Sequence, residues 1–177
     1  MRGYGYKAYA WAVIMRTTPE DTGTAPALLR LALYQPEIAG NVGTILRLAA
    51  CLNVPVDLIE PMGFAFSDRA LARSGMDYLT QVDVTRHVDW AAFEASVPGR
   101  IVLLTTKGAT RLPSARFEPG DTLLLGTESA GVPEEVHARA DFRVKIPLRA
   151  GLRSLNISVA AGIGVAEALR QLDGWPE

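Results

Sequence analysis

The chain predicts an α/β fold, a Rossmann-like parallel sheet with helices on both faces. Three observations carry this. Short apolar runs alternate with helix-like stretches along most of the sequence, the pattern of a parallel sheet joined by crossover helices. Several of those runs end in polar loops holding glycine, and the next helix opens from the loop. The final stretch, residues 155–172, is almost wholly Ala, Gly, Val, Ile and Leu up to Glu167. A helix apolar all round is expected to be buried on all sides.

Taken in order, residues 1–27 read as a disordered tail, rich in Thr, Pro and Gly toward its end. Met15 is an alternative start. Residues 28–173 read as one domain, a common size for a single core. Strands are predicted at 29–34, 56–60, 101–105, 122–125 and 142–146, with a weaker one at 80–84. Helices are predicted at 41–53, 68–73, 90–96, 133–139 and 155–172. Asn41 stands where the first helix begins, and Ser154 and Asn156 where the last begins. All are residue types that accept from the orphan N–H groups of a helix start. Gly162 to Glu167 has the spacing of part of a dinucleotide fingerprint, but it lies inside a helix rather than after a strand. Those glycines are read as permitting close helix packing.

Composition sets limits. The net charge is −1, with 18 Lys and Arg against 19 Asp and Glu, so no overall basic excess points to nucleic acid. Local clusters matter more, because phosphate fields are short-ranged in salt. Arg69, Arg73, Arg86, Lys107, Arg111, Arg116, Arg149 and Arg153 fall in or near predicted loops and helix ends. The single cysteine, Cys51, excludes an internal disulfide and points to a reducing, cytoplasmic setting. With two histidines, His87 and His137, it cannot build a typical structural zinc site, and no metal is expected. No apolar run reaches the length of a membrane span. The apolar stretch 8–15 follows Arg2 and Lys7, yet a charged stretch comes next without a small-residue cleavage site, which argues against a signal peptide.

Three loop motifs stand out. The first is N-x-G-x-x-x-R, from Asn41 to Arg47. The second is L-G-x-E-x-x-G-V-P, from Leu125 to Pro133. The third runs from Ile146-Pro147 to Ser154-Leu155-Asn156-x-Ser158. In this order they resemble the SPOUT superfamily of RNA methyltransferases, and within it the SpoU-type ribose 2'-O-methyltransferases. The resemblance covers about residues 29–172. The segments EPMGFAFSDRALARSGMDYL (60–79), VTRHVDW (84–90) and LTTKG (104–108) are similar to the subgroup that methylates the wobble nucleotide of tRNA, cytidine or uridine 34.

The resemblance implies a C-terminal deep trefoil knot, which periodicity alone cannot indicate. It implies S-adenosylmethionine as cofactor, held by Leu104, Gly126, Glu128, Ile146, Ser154 and Leu155. It implies Asn41, Arg47, Ser154 and Asn156 as catalytic residues on the substrate side. Lys107, Arg149, Arg153 and Arg86 are the candidate RNA contacts. A homodimer is implied too, and the apolar first and last helices offer more hydrophobic face than a small sheet can cover. The alternatives are ribose 2'-O-methylation at another tRNA or rRNA position, or a non-catalytic RNA-binding module of the same fold.

The residues keep their plainer readings beside this. Asn41 can cap a helix. Glu128 can accept from a ligand or orient its loop. Leu104 and Ile146 can pack while their backbone binds. His87, Trp90 and Tyr78 can stack on an unpaired base or simply pack. Arg47 stays protonated, so it suits charge stabilisation better than proton abstraction. The chain departs from related sequences at Ala130, where arginine is frequent. That removes one RNA or loop-anchoring cation, for which Arg149 is a candidate substitute.

Overall fold

The computed structural model describes residues 15–16, 27–65 and 81–177. Among the described residues, eight strands lie in one sheet: β1 (Met15–Arg16), β2 (Leu29–Tyr34), β3 (Val56–Ile59), β4 (Val84–His87), β5 (Ile101–Leu104), β6 (Thr110–Arg111), β7 (Asp121–Leu125) and β8 (Phe142–Lys145). Their order is β1-β4-β3-β2-β7-β5-β8-β6, and every pairing is parallel. The helices are α1 (Ala39–Leu52), α2 (Trp90–Ser96), α3 (Glu134–Arg139) and α4 (Ile157–Leu172). The α/β parallel architecture is therefore as the alternation predicts.

Strand alternation sorts the core into two layers, because successive side chains point to opposite faces. Leu31, Leu33, Leu58, Val102, Leu104, Leu123, Leu125 and Val144 pack with Val42, Ile45 and Leu46 of α1 and Ala161, Val165 and Leu169 of α4. Ala32, Ile59, Leu103 and Leu124 face the other way, onto Phe93 of α2 and Val132 and Val136 around α3. Central strands buried on both faces read as continuous apolar runs, which is why β2, β5 and β7 are plain in the sequence. Gly164 of α4 sits hard against the sheet. A Cβ there would lie 2.8 Å from Leu123 Cδ2 and 3.3 Å from Leu104 Cδ2, so a larger residue would have to displace those two leucine side chains.

Several boundaries differ from the sequence expectation. α1 starts at Ala39 with Ile38 as its N-cap, and Asn41 makes no capping bond. α4 starts at Ile157, where Asn156 caps by accepting from the Ser158 N–H, leaving Ser154 outside the helix. The strand expected at 80–84 lies at 84–87 instead, paired residue for residue with Val56 to Ile59 of β3. Its Thr, Arg and His made it read as a loop. β6 is too short and polar to show any period. Of the expected tail, Met15 and Arg16 form β1 beside β4, and most of the rest lies outside the described residues. The expected helix at 68–73 also lies outside them. α4 is not buried all round, since Val159 is 50 % exposed and Ile163 38 %.

Two polar clusters fasten the sheet. His87 and Asp57 are both buried, with Nε2 2.8 Å from Oδ1. Arg30 donates to the same carboxylate through Nε and Nη2, each at 2.9 Å. His87 also lies edge-on to Phe93, so its base-stacking reading gives way to a core role. At the C-terminal end, Glu167 accepts from Arg170 and from Gln171. Gln171 in turn donates to Ala115 O and accepts from Phe117 N–H, pinning α4 to the segment between β6 and β7.

Asp57→Ala leaves the Arg30 guanidinium and the His87 ring without their shared acceptor. Breaking such a buried pair costs about 3 kcal/mol, and urea unfolding should read a loss of that order. The hydrogen bonds from Arg170 and Gln171 hold the Glu167 carboxyl down at about 2, against an ordinary 4.5. A carboxyl depressed on folding contributes stability that is fully present above pH 4.5 and lost as pH falls toward 2. Screening at this half-exposed pair limits the contribution to about 1 kcal/mol. Glu167→Gln should flatten that part of the stability–pH curve, as thermal unfolding across the window will measure.

Candidate active site at the strand ends

A parallel sheet aims all its strand C-termini at one edge. Ligands gather there, where successive crossovers leave in opposite directions. Here β2, β3 and β4 step one way across the sheet, and the chain then crosses to β5 on the far side of β7. A cleft of about 580 Å³ opens at the ends of β5, β7 and β8. That is the size of a small-molecule site. Its walls are Leu103–Lys107, Leu125–Val132, Ile146, Leu148 and Arg153–Ile157, with Ile38 and Asn41 at the start of α1.

The β7 loop is shaped by its glycines. Thr127 and Gly131 exchange both backbone hydrogen bonds, at 2.8 and 3.1 Å. A Cβ on Gly126 would lie 2.5 Å from the Gly131 carbonyl carbon, and Gly131 itself has φ +77°. A side chain at Gly126 would force the loop open, and one at Gly131 would be strained by the positive φ. The result presents Glu128 inward, and both its carboxylate oxygens are engaged. Oε2 accepts from the Glu37 N–H at 2.9 Å and Oε1 from the Asn41 amide at 3.1 Å. Of the two readings of Glu128, this geometry gives it the loop-orienting one.

The bonding continues in both directions. The Glu37 carboxylate accepts from the Ser129 hydroxyl at 2.6 Å and the Ser129 N–H at 2.8 Å. Those two bonds hold its pKa below the ordinary carboxylate value. Asn41 Oδ1 accepts from the Asn156 amide at 3.0 Å, and Asn156 Oδ1 accepts from the Ser158 N–H and hydroxyl. All three sequence motifs are thus joined by one relay, Glu128 to Asn41 to Asn156 to Ser158. Asn41 is a tertiary connector here rather than a helix cap.

Of the expected residues, Asn41, Leu104, Lys107, Gly126, Glu128, Ile146, Arg153, Ser154, Leu155 and Asn156 line the cleft. Arg47, Arg149 and Arg86 do not. Arg47 is exposed on α1, about 9 Å along the axis from Asn41 and about a third of a turn around it. Arg86 is engaged with Glu60 at the end of β4, with Nε 3.0 Å from Oε1. Arg149 is exposed in the loop before Ser154. Two site residues were missed. Glu37 precedes the first motif and has no recognisable pattern. His137 is buried on α3 and lines the cleft, and an isolated histidine in a helix gives no signal. Among the described residues no three His, Cys, Asp or Glu side chains are placed to hold a metal ion, and no helix is long and apolar enough to cross a membrane.

Known proteins resemble this chain in sequence and fold. A protein of Beijerinckia indica named tRNA (cytidine(34)-2'-O)-methyltransferase is 56 % identical over 145 residues, which is 80 % of this chain and 91 % of that one. A solved structure described as "Structural insights into the 2-OH methylation of C/U34 on tRNA" is 46 % identical, with a TM-score of 0.79, over 85 % of this chain and 99 % of that one. An AdoMet-bound rRNA methyltransferase from Sinorhizobium meliloti is 25 % identical with a TM-score of 0.75, over 84 % of this chain and 58 % of that one. The model of the SpoU rRNA Methylase family matches residues 28–166, which takes in all three motifs as far as Ser158 and the relay that joins them, and the chain belongs to that family.

Proposed function

We propose that this chain is a cytoplasmic tRNA methyltransferase that moves a methyl group from S-adenosylmethionine to the ribose 2'-hydroxyl of the wobble nucleotide, cytidine or uridine 34. The observation that carries the reading is the relay that draws Asn41, Glu128 and Asn156 together on the rim of one cleft. The relatives named for this reaction, matched over most of their length, support the substrate.

The cleft fits the cofactor by its chemistry. Leu104, Leu125, Ile146 and Leu155 supply apolar wall for a purine, and strand-end backbone supplies hydrogen bonds without special side chains. The close Gly126–Gly131 approach keeps that backbone reachable. When bound, S-adenosylmethionine supplies an electrophilic methyl on a sulfonium. The residues holding it would be Leu104, Gly126, Ile146, Ser154 and Leu155, with Glu128 fixing their loop. The chain's other task is to orient a poorly acidic hydroxyl and stabilise the charge that develops on its oxygen. Ser154 and the Asn156 amide lie at the cleft mouth for orientation. Arg47, always protonated, suits the stabilising role.

Arg47 lies away from the cleft of its own chain, and the proposal resolves this with a homodimer. Val159 and Ile163 are four residues apart on α4, so they share one face of the helix. Ile38, Leu152 and Leu155 are exposed too, and we infer that the five form one apolar patch beside the site. α1 packs on α4 next to it. Pairing two such patches would bury them and bring each Arg47 toward the neighbouring chain's cleft. We further propose that residues 28–173 form one domain tied in a trefoil knot. The place of β8 supports the knot, since it is inserted between β5 and β6 after the chain has already visited both.

The direct test incubates the purified protein with S-adenosylmethionine and tRNA and maps ribose methylation by mass spectrometry. Methyl at position 34 is expected, and methyl only elsewhere would favour another RNA target. In the same assay Arg47→Ala should lower turnover about a hundredfold, near 3 kcal/mol, with little change in S-adenosylhomocysteine affinity. Normal turnover would make Arg47 a structural residue. Val159→Asp combined with Ile163→Asp should convert a dimer into a monomer in sedimentation and lower activity with it. A wild-type monomer at full activity would refute the dimer.

A further inference from the structure

Among the described residues, most arginines that form the sheet and helices are matched to acids. Arg30 meets Asp57, Arg86 meets Glu60, Arg100 meets Asp121 and Glu118, Arg139 meets Glu94 and Asp141, and Arg170 meets Glu167. Three basic residues of the outer strands break the rule. Arg111, Arg143 and Lys145 make no ion pair or side-chain hydrogen bond among the described residues.

Strand geometry places these three together. Arg143 and Lys145 flank the fully buried Val144 on β8, so both point to the face opposite it. Arg111 of β6 stands directly beside Lys145 in the parallel register, so it shares that face. β6 ends the sheet, and Arg111 and Arg143 are exposed. Like charges on paired positions repel and destabilise a sheet. A charged residue or two would suffice to blunt an edge against aggregation. Three uncompensated cations on one face, two of them a strand in from the edge, exceed that need.

The position gives the strip a direction. β6 pairs with the last residues of β8, just before Ile146 enters the cleft. Lys107 and Arg153 continue the positive charge along the cleft wall. We propose that Arg111, Arg143 and Lys145 form a phosphate-binding strip that carries the RNA strand flanking the target nucleotide to the cleft. The inference rests on the reading of the substrate as tRNA. It also explains how a chain of net charge −1 binds a polyanion, since several of its acids pair with other arginines while this strip is left uncompensated.

The test measures the affinity of the full-length protein for an unmodified tRNA over a range of salt, with S-adenosylhomocysteine titration as the control for a folded cleft. Replacing Arg111, Arg143 and Lys145 together with glutamine should weaken tRNA binding at least about tenfold. It should also lower the slope of log affinity against log salt by about 2, near 0.7 for each lost single-strand contact. S-adenosylhomocysteine affinity should not move. Arg143→Gln and Arg111→Gln alone, both at exposed positions, should each lower the slope by about 0.7 and serve if the triple variant does not fold. Unchanged affinity and slope in these variants, with wild type binding tRNA, would overturn the strip and leave the substrate reading standing. A wild-type chain that binds no tRNA would overturn both.

Discussion

The site depends on one carboxylate whose bonds are all internal. Glu128 reaches from the end of β7 to the backbone before α1 and to Asn41 within it. Through Asn41 the contact extends to Asn156 at the head of α4. A hydrogen bond to an ionised acceptor is about twice as strong as a neutral one, and here two of them set the spacing of elements far apart in sequence. Without this hub the three loops would be surface segments free to relax separately. With it, the wall that faces a cofactor and the rim that faces a substrate form a single rigid object. That is the preorganisation that catalysis by positioning requires.

Asn41 and Asn156 divide their amide groups between tasks in a way only a tertiary structure can define. Each gives its carbonyl oxygen to one partner and its NH2 to another. An aspartate at either place would keep an acceptor and lose a donor, and at Asn41 it would set a second carboxylate against Glu128. The residue type is therefore fixed by the direction of the relay. The buried Arg30–Asp57–His87 cluster plays a comparable part on the other side of the sheet, holding β2, β3 and β4 in register well away from the cleft.

Much of this was legible in the chain. β2, β5 and β7 announce themselves because strands covered on both faces must be apolar throughout. Ten of the expected site residues line the cleft because the motifs sit where strands end, and strand ends converge in a parallel sheet. What stayed hidden has physical reasons. β4 was misplaced because its polar side chains find buried partners that sequence does not reveal. β6 holds two residues, too few for any period. Asn41 has the chemistry of a cap and is used for something else. The exposed side of α4 was misjudged because an apolar helix looks the same whether its last face meets the core or a solvent-exposed patch. Arg143 and Lys145 escaped notice because alternate cations on a strand become a cluster only when the neighbouring strand adds Arg111 in register.

The place of β8 also bears on how the molecule is made. β5 and β6 leave the ribosome well before residues 142–145, yet β6 pairs with β8 and not with β5. A nascent chain that has already assembled β2, β3, β5 and β7 therefore holds an open slot, with one edge of β5 bare and β6 without a mate. Only when the final segment emerges can the slot be filled, and the cleft walls at Ile146 and Ser154 arrive with it. Ligand binding is thus the last property the chain acquires during synthesis, and a protein truncated before β8 would carry an unsealed strand edge, the kind of surface that invites aggregation.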